Sequence, residues 1–476
     1  MDDLPSNILR YSILLHMYLN LTSRFTKILF VLLGGLLLCF QGFFNKYPLL
    51  YFDTGTYVMS GFSGKIPFDR PLTYGLFLRH ISLSETLWLV IFAQGIIVSL
   101  LIYFFLKYFI KSKHLLFFHS SLCLFLVFFT GLSVNVSQLI PDIFALVFIM
   151  ALGLLLLVNS LSKRDLWIII FLTWLGIIMH NSHGLIAFGI LFFISIYALW
   201  NRESGIQRKR IVMGWAIAFI GLFSIPSIHY IVGKEFVMSK GSHLFIMAHL
   251  VESGVVDLFL ADNCDKKDYW LCEYQGKIPT ELIWDLENSP VRKRWKGTDV
   301  WTKSKPEFDL MIKEIVTTPK YFFKLLIKSI PYTAEQFCNF HTGTTPQLGR
   351  KSPAYQFIKK KYSDEIRSLE RSYQFGRQHW LKYDPINNRQ LGLFFFSLSF
   401  FIAVLLVPSI RDNLSLTQKH LVFFVLIAMF SNAFICSNLS TIIPRYQSRI
   451  FCLYPIADFI CLATLVSIFW KKYKPI

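Results

Sequence analysis

Asp53 stands alone among aromatic and small residues in Tyr51-Phe-Asp-Thr-Gly-Thr-Tyr-Val58, just where the chain leaves an apolar run. A second acid, Asp142, follows Pro141 at the start of another run. Pro444-Arg445-Tyr446 and Arg449 open a third, and His180-Asn-Ser-His183 joins two more. The segment after Asp53 adds Lys65, Asp69, Arg70, Arg79 and His80. Ionisable groups at the edge of apolar runs cost free energy unless paired or hydrated, which makes them functional candidates. A carboxylate within hydrogen-bond reach of a hydroxyl can take its proton as that oxygen attacks. Guanidinium and ammonium groups can hold a phosphate and stabilise the charge that grows on it as it leaves. Asp53 and Asp142 are therefore the candidate catalytic acids. Arg445, Lys65, Arg70 and Arg449 are the candidate phosphate ligands. Tyr57, His180, Asn181, His183 and Tyr446 are the candidate contacts to the rest of such a substrate.

Each residue also has a plain structural role open to it. Asp53 and Asp142 precede helical runs, where an aspartate caps free N–H groups and suits the helix dipole. The arginines and Lys65 can snorkel to lipid phosphates, and the histidines can serve as satisfied interface residues. With no third ligand beside His180 and His183, zinc is not indicated, and a divalent metal remains only possible. No Walker loop, G-x-S-x-G elbow or H-E-x-x-H motif occurs, which argues against nucleoside triphosphate, serine-hydrolase and zincin chemistry.

The elements that must position these groups are membrane helices. The chain has 476 residues, 54% of them hydrophobic and 16% charged, with mean hydropathy +0.49. That composition is a polytopic membrane protein's. Ten apolar runs stand out, at about 27–46, 84–106, 114–133, 141–160, 166–181, 183–200, 211–232, 390–409, 420–437 and 449–470, against the ~20 residues a span needs; the fifth and sixth are short and meet at 180–183. No cleavable signal peptide is evident, and residues 1–26 read as an amphipathic surface helix. With ten spans, the basic connections (Lys107, Lys111 and Lys113; Lys163 and Arg164; Arg202 to Arg210; Arg411 and Lys419; Lys471, Lys472 and Lys474) share one side with both termini. The positive-inside rule makes that side cytoplasmic. The charge of +19 thus orients the chain and does not indicate nucleic acid.

The opposite side carries the first loop (47–83), the 180–183 turn, a final loop (438–448) and residues 233–389, too long for a connector. The expected organisation is a seven-helix module over 1–232, a mainly α extracytoplasmic domain over 233–389 with Trp270, Trp284, Trp295 and Trp301, and a three-helix module over 390–476. Cys264 and Cys272 are expected to pair in that domain if it faces an oxidising compartment. Cys39, Cys123, Cys436, Cys452 and Cys461 are expected to pack among apolar residues. Lys320, Lys324 and Lys328, four residues apart, suggest an amphipathic helix on the bilayer surface.

With an acid after the first span in Phe52-Asp-Thr-Gly-Thr-Tyr57, a helical segment over 70–80, seven spans before a large outer domain and an outer Pro-Arg-Tyr (444–446), the layout resembles the GT-C superfamily of membrane glycosyltransferases. That group includes protein O-mannosyltransferases, the lipid A aminoarabinose transferase and the O-antigen glucosyltransferases. The resemblance implies a polyprenyl-phosphate sugar as donor and inversion at the anomeric carbon. It implies Asp53 as base, Asp142 as the second acid, and Arg445, with Lys65 or Arg70, on the lipid phosphate. The acceptor would be a cell-surface glycan or lipid such as O-antigen or lipopolysaccharide, at the outer face of a bacterial cytoplasmic (inner) membrane. Asp53 lacks the adjacent acid that many relatives carry, so its role rests on position. The rival readings are a lipid-linked-oligosaccharide flippase or transporter, a membrane acyl- or phospho-transferase using the His-Asn-Ser-His turn, and a non-catalytic assembly protein. Spans nearly free of mid-membrane charge argue against transport.

Overall fold

A computed structural model describes residues 24–473, apart from 284, 286–287, 344 and 377–380. The surface helix expected before residue 24, Trp284 and Lys474 lie outside the described residues. In chain order the principal helices are α1 (Arg24–Leu38), α2 (Thr54–Ser63), α3 (Thr73–Ile81), α4 (Trp88–Phe109), α5 (Leu115–Phe129) and α6 (Ile143–Leu157). They continue with α7 (Lys163–Ile178), α8 (Asn181–Trp200), α9 (Arg208–Gly233), α10 (Ser242–Glu252), α11 (Val255–Asn263), α12 (Lys305–Thr317) and α13 (Pro319–Cys338). The last are α14 (Pro353–Lys361), α15 (Asp384–Leu406), α16 (Leu416–Leu439) and α17 (Leu453–Tyr473). The described residues contain no β-strand, only isolated bridges at Leu49–Gln138 and Leu348–Phe375.

Among the described residues, six helical runs are long and apolar enough to cross a membrane: α4, α8, α9, α15, α16 and Arg445–Trp470. The chain is thus an α-helical, multi-pass membrane protein. The other four apolar runs form shorter helices. At 15 residues, α1, α5 and α6 rise about 22 Å, against a hydrocarbon core of ~30 Å; α7 has 16 residues. Local breaks end them. The chain leaves α1 at Cys39 and resumes as Phe40–Asn45, and α5 gives way at Thr130 to a short turn of helix over Leu132–Ser137. Pro141 delays the start of α6. Hydropathy registers the length of an apolar run and not these interruptions.

Every residue of α6 is buried, as expected of a helix that is apolar all round and sits inside its bundle. Lipid-facing helices instead leave large apolar side chains outward, such as Trp167, Phe192, Trp200, Phe223 and Phe395. Small residues let helices close without a hydrophobic drive between them. A Cβ on Gly95 would fall 2.4 Å from the Gly35 carbonyl oxygen, so α1 and α4 touch backbone to backbone there. The α2–α3 hairpin is tighter still, since a Cβ on Gly61 would lie 2.1 Å from the Gly75 oxygen. Because this hairpin sets Asp53 against Arg70, Gly61→Ala is expected to destabilise the fold by about 1–3 kcal/mol through overpacking. A lowered thermal midpoint in detergent checks it; an unchanged midpoint would mean the hairpin contact is soft.

Basic connections meet at one end of the bundle. Lys107 pairs with Asp165, Arg210 Nη2 reaches the Asn159 carbonyl at 3.5 Å, and Gln418 donates to the Phe109 carbonyl at 3.0 Å. The first residues of α2, α6, α8 and Arg445–Ser448 lie at the other end, where their side chains meet.

Residues 233–389 divide in two. A separate core joins α10, α11, α12 and the start of α13 around Leu244, Phe259, Trp270, Phe308 and Tyr321. The Cys264–Cys272 disulfide closes a turn beside it, with Cα atoms 5.7 Å apart. Residues from Phe340 to Leu369 belong instead to the main core. Buried Gln374 fastens them, accepting from Leu50 N at 2.9 Å and donating to the Leu50 carbonyl at 2.6 Å. α13 runs on through Pro331 to Cys338 and exposes Phe323, Ile327 and Ile330, matching the amphipathic pattern. One acid departs from the expectation of charge-free spans: Asp458 is buried in α17 and accepts a hydrogen bond from Ser397 of α15.

Candidate functional site

Four separate chain segments bring three acids and three arginines together. Asp53 Oδ1 lies 2.9 Å from Arg70 Nη1, and its Oδ2 lies 3.6 Å from Arg445 Nη1. Arg445 Nε is 3.1 Å from Asp142 Oδ2. Arg449 donates from Nη1 to Asp142 Oδ1 at 3.0 Å, and Arg70 donates from Nε to Asp69 Oδ1 at 2.9 Å. Three carboxylates face three guanidiniums, so the cluster is close to neutral.

Neither aspartate caps its helix. Both precede one, at the starts of α2 and α6, yet neither side chain hydrogen-bonds to a backbone N–H there. The Thr54 hydroxyl takes up local backbone work instead, accepting from Tyr51 N at 2.8 Å. The plain capping role is therefore not what holds either acid in place.

The cluster has a committed end and an uncommitted end. Arg449 is fully buried and donates to Asp142, to Asn432 Oδ1 at 3.0 Å and to Cys436 Sγ at 3.3 Å. Asp142 is buried with it. A buried ion pair survives only when further hydrogen bonds complete it, and Asn432 and Cys436 supply them. At the other end, the Asp53 carboxylate is 27% exposed and makes charge contacts only, with no aligned hydrogen bond from a described residue. Arg445 is likewise held by charge and by stacking, its guanidinium 4.4 Å over the Tyr51 ring. None of its N–H groups makes an aligned hydrogen bond among the described residues, and Nε is buried without one. Such donors are costly to leave unmatched.

Arg445 also walls a cavity of about 280 Å³ between the short helix 132–137, residues 341–343, the start of α15 and the 443–445 turn. Tyr51, Asn135, Gln138, Thr342 and Asn387 give it a polar lining. No protein family, curated protein or solved structure matches the chain. The site's meaning therefore comes from its own chemistry.

The remaining candidates fall around this cluster. Tyr57 is buried beneath Arg70, 5.2 Å from guanidinium to ring. Tyr446 lies beside both Arg445 and Arg449. Lys65 is exposed on the turn after α2 and takes no part in these contacts. His180 caps α8, accepting from Ser182 N at 3.3 Å. His183 is fully buried and donates from Nδ1 to the Gly176 carbonyl at 2.7 Å; its Nε2 and Asn181 Oδ1 have no hydrogen-bond partner among the described residues. His180 and His183 thus close the α7–α8 corner with one ring nitrogen each. Among the described residues no group of three or more His, Cys, Asp or Glu side chains could hold a metal ion.

Reading the sequence missed Tyr51, Asn432, Cys436 and the cavity's amides. Asn432 carried a usable signal, being a hydrogen-bonding side chain deep in an apolar run. Cys436 was expected merely to pack; it does, and it also meets a guanidinium.

Proposed function

We propose that this protein is an inverting glycosyltransferase that takes its sugar from a polyprenyl-phosphate donor at the outer surface of a cytoplasmic membrane. One observation carries the reading: a part-exposed carboxylate, Asp53, paired with Arg70 and without an aligned hydrogen bond among the described residues, stands 3.6 Å from Arg445, which pairs with Asp142 and walls a polar cavity. A hydroxyl acceptor placed at Asp53 would lose its proton to the carboxylate as its oxygen attacks the anomeric carbon. The bond from that carbon to the phosphate oxygen breaks on the opposite face, and polyprenyl phosphate leaves with its electron pair. Arg445 neutralises the charge that develops on it. Arg449 and Asp142 hold Arg445 in position, and Arg70 does the same for Asp53. The basic connections at the far end favour the cytoplasm for that end, which puts the cluster outside, facing a cell-surface glycan or lipid acceptor such as an O-antigen. Ten membrane passages, counting the four short apolar helices, satisfy that orientation, and the reading keeps the GT-C resemblance as its frame.

The test is mass spectrometry of surface glycans from a strain lacking the gene, with the wild-type copy restored as control. The expected result is loss of a single hexose or pentose. An unchanged glycan profile together with altered lipid-linked intermediates would favour a flippase instead.

A further inference from the structure

We infer that the cavity beside Arg445 is the subsite for the donor's sugar ring, and that it accepts neutral or acidic sugars while rejecting those with a free amine. The inference rests on the glycosyltransferase reading and narrows its substrate class. At about 280 Å³ the cavity sits just below the ~300–1,000 Å³ of drug-sized ligand pockets, enough for one ring and too small for a disaccharide or a prenyl chain. Its lining suits hydroxyl groups: Asn135, Gln138 and Asn387 each offer an amide and Tyr51 a phenol. Thr342 adds a hydroxyl that is buried without a partner among the described residues.

Charge sets the selectivity. Arg445 is the one permanently charged side chain in the lining, and no carboxylate lines the cavity among the described residues. Asp53 and Asp142, the acids beside Arg445, are already paired with arginines. An ammonium on the ring would find amide and hydroxyl oxygens to accept from it but no counter-ion, and it would face a guanidinium, so it regains less than the hydration it loses. A hydroxyl or carboxylate on the ring meets donors.

Two positions allow a direct test. Gly343 borders the cavity, and a Cβ there would stand 4.0 Å from Arg445 Cβ with no closer neighbour, so Gly343→Leu fills the space without a backbone clash. Asn387 accepts from Thr342 N through Oδ1 at 2.8 Å. Asn387→Asp keeps that acceptor and adds the missing negative charge.

The measurement is affinity of the full chain in nanodiscs for three probes: polyprenyl phosphate, polyprenyl-phosphate glucose and polyprenyl-phosphate 4-amino-4-deoxyarabinose. The glucose probe is expected to bind at least about tenfold tighter than the bare phosphate, one tenfold step being worth ~1.4 kcal/mol, and the amino sugar no tighter. Gly343→Leu should erase the glucose increment and leave bare phosphate affinity in place. Asn387→Asp should shift preference toward the amino sugar, a gain that misfolding cannot mimic. Equal binding of both sugars by the wild type, or a glucose increment that survives Gly343→Leu, overturns the subsite while the donor reading stands. Failure of all three probes to bind overturns both.

Discussion

Asp53→Asn is expected to slow sugar transfer by at least about 100-fold while leaving the protein folded and membrane-inserted, since a positioned general base contributes roughly 10²–10⁴. The fold should tolerate the change for a specific reason. Each arginine that touches Asp53 has a second acid: Arg70 keeps Asp69, and Arg445 keeps Asp142. No buried cation is stranded. Asp53 is also the most exposed of the three acids, so it is the one whose neutralisation the fold should tolerate best. The isosteric amide keeps the side chain's size and shape while removing its charge and its basic oxygen. The readout is the initial rate of polyprenyl phosphate release in proteoliposomes, beside thermal midpoints of both proteins. Transfer within a few-fold of wild type would remove Asp53 from the proton's path. A large drop in midpoint would mean that its role is structural.

The acids and arginines of this site were legible in the sequence because each stands at the edge of an apolar run, where a charge is conspicuous. Their partnerships were not. Asp142 and Arg449 are 307 residues apart, and no periodicity links α6 to the segment before α17. Asp53, Asp142 and Arg445, expected on one side of the bundle from the parity of the apolar runs, do meet in one cluster. Helix lengths were not legible, since breaks at Cys39, Thr130 and Pro141 occur inside apolar stretches that hydropathy averages over. The division of 233–389 was hidden for a related reason. Both halves carry similar mixtures of aromatic and charged residues, and only contacts such as Gln374 with Leu50 assign the second half to the membrane core. Tyr51 escaped notice because an aromatic residue at a membrane boundary is commonplace. Its value comes from the guanidinium stacked on it.

The second large effect is expected at Arg449, and it separates holding the site from performing its chemistry. Arg449→Met keeps much of the side chain's length and removes its charge. Asp142 would remain buried with Arg445 alone, while Asn432 Oδ1 and Cys436 Sγ would lose their donor. Breaking a buried pair on one side costs about 3–5 kcal/mol when the surviving charge is left alone; Asp142 keeps Arg445, so the loss should fall short of that range. Arg445 should then turn toward Asp142 and away from the cavity, so affinity for bare polyprenyl phosphate should fall together with the thermal midpoint. Adding Asp142→Leu distinguishes the two consequences. Replacing both charges with apolar groups is often neutral or stabilising, so the double variant should regain part of the lost midpoint, with Arg445 left to Asp53 alone. It should not regain transfer, because Arg445 would then have lost the acid that holds its Nε. Recovery of both stability and transfer would show that Arg445 needs no such anchor. Recovery of neither would place the damage in the packing of α6 against α16, outside the charge network altogether.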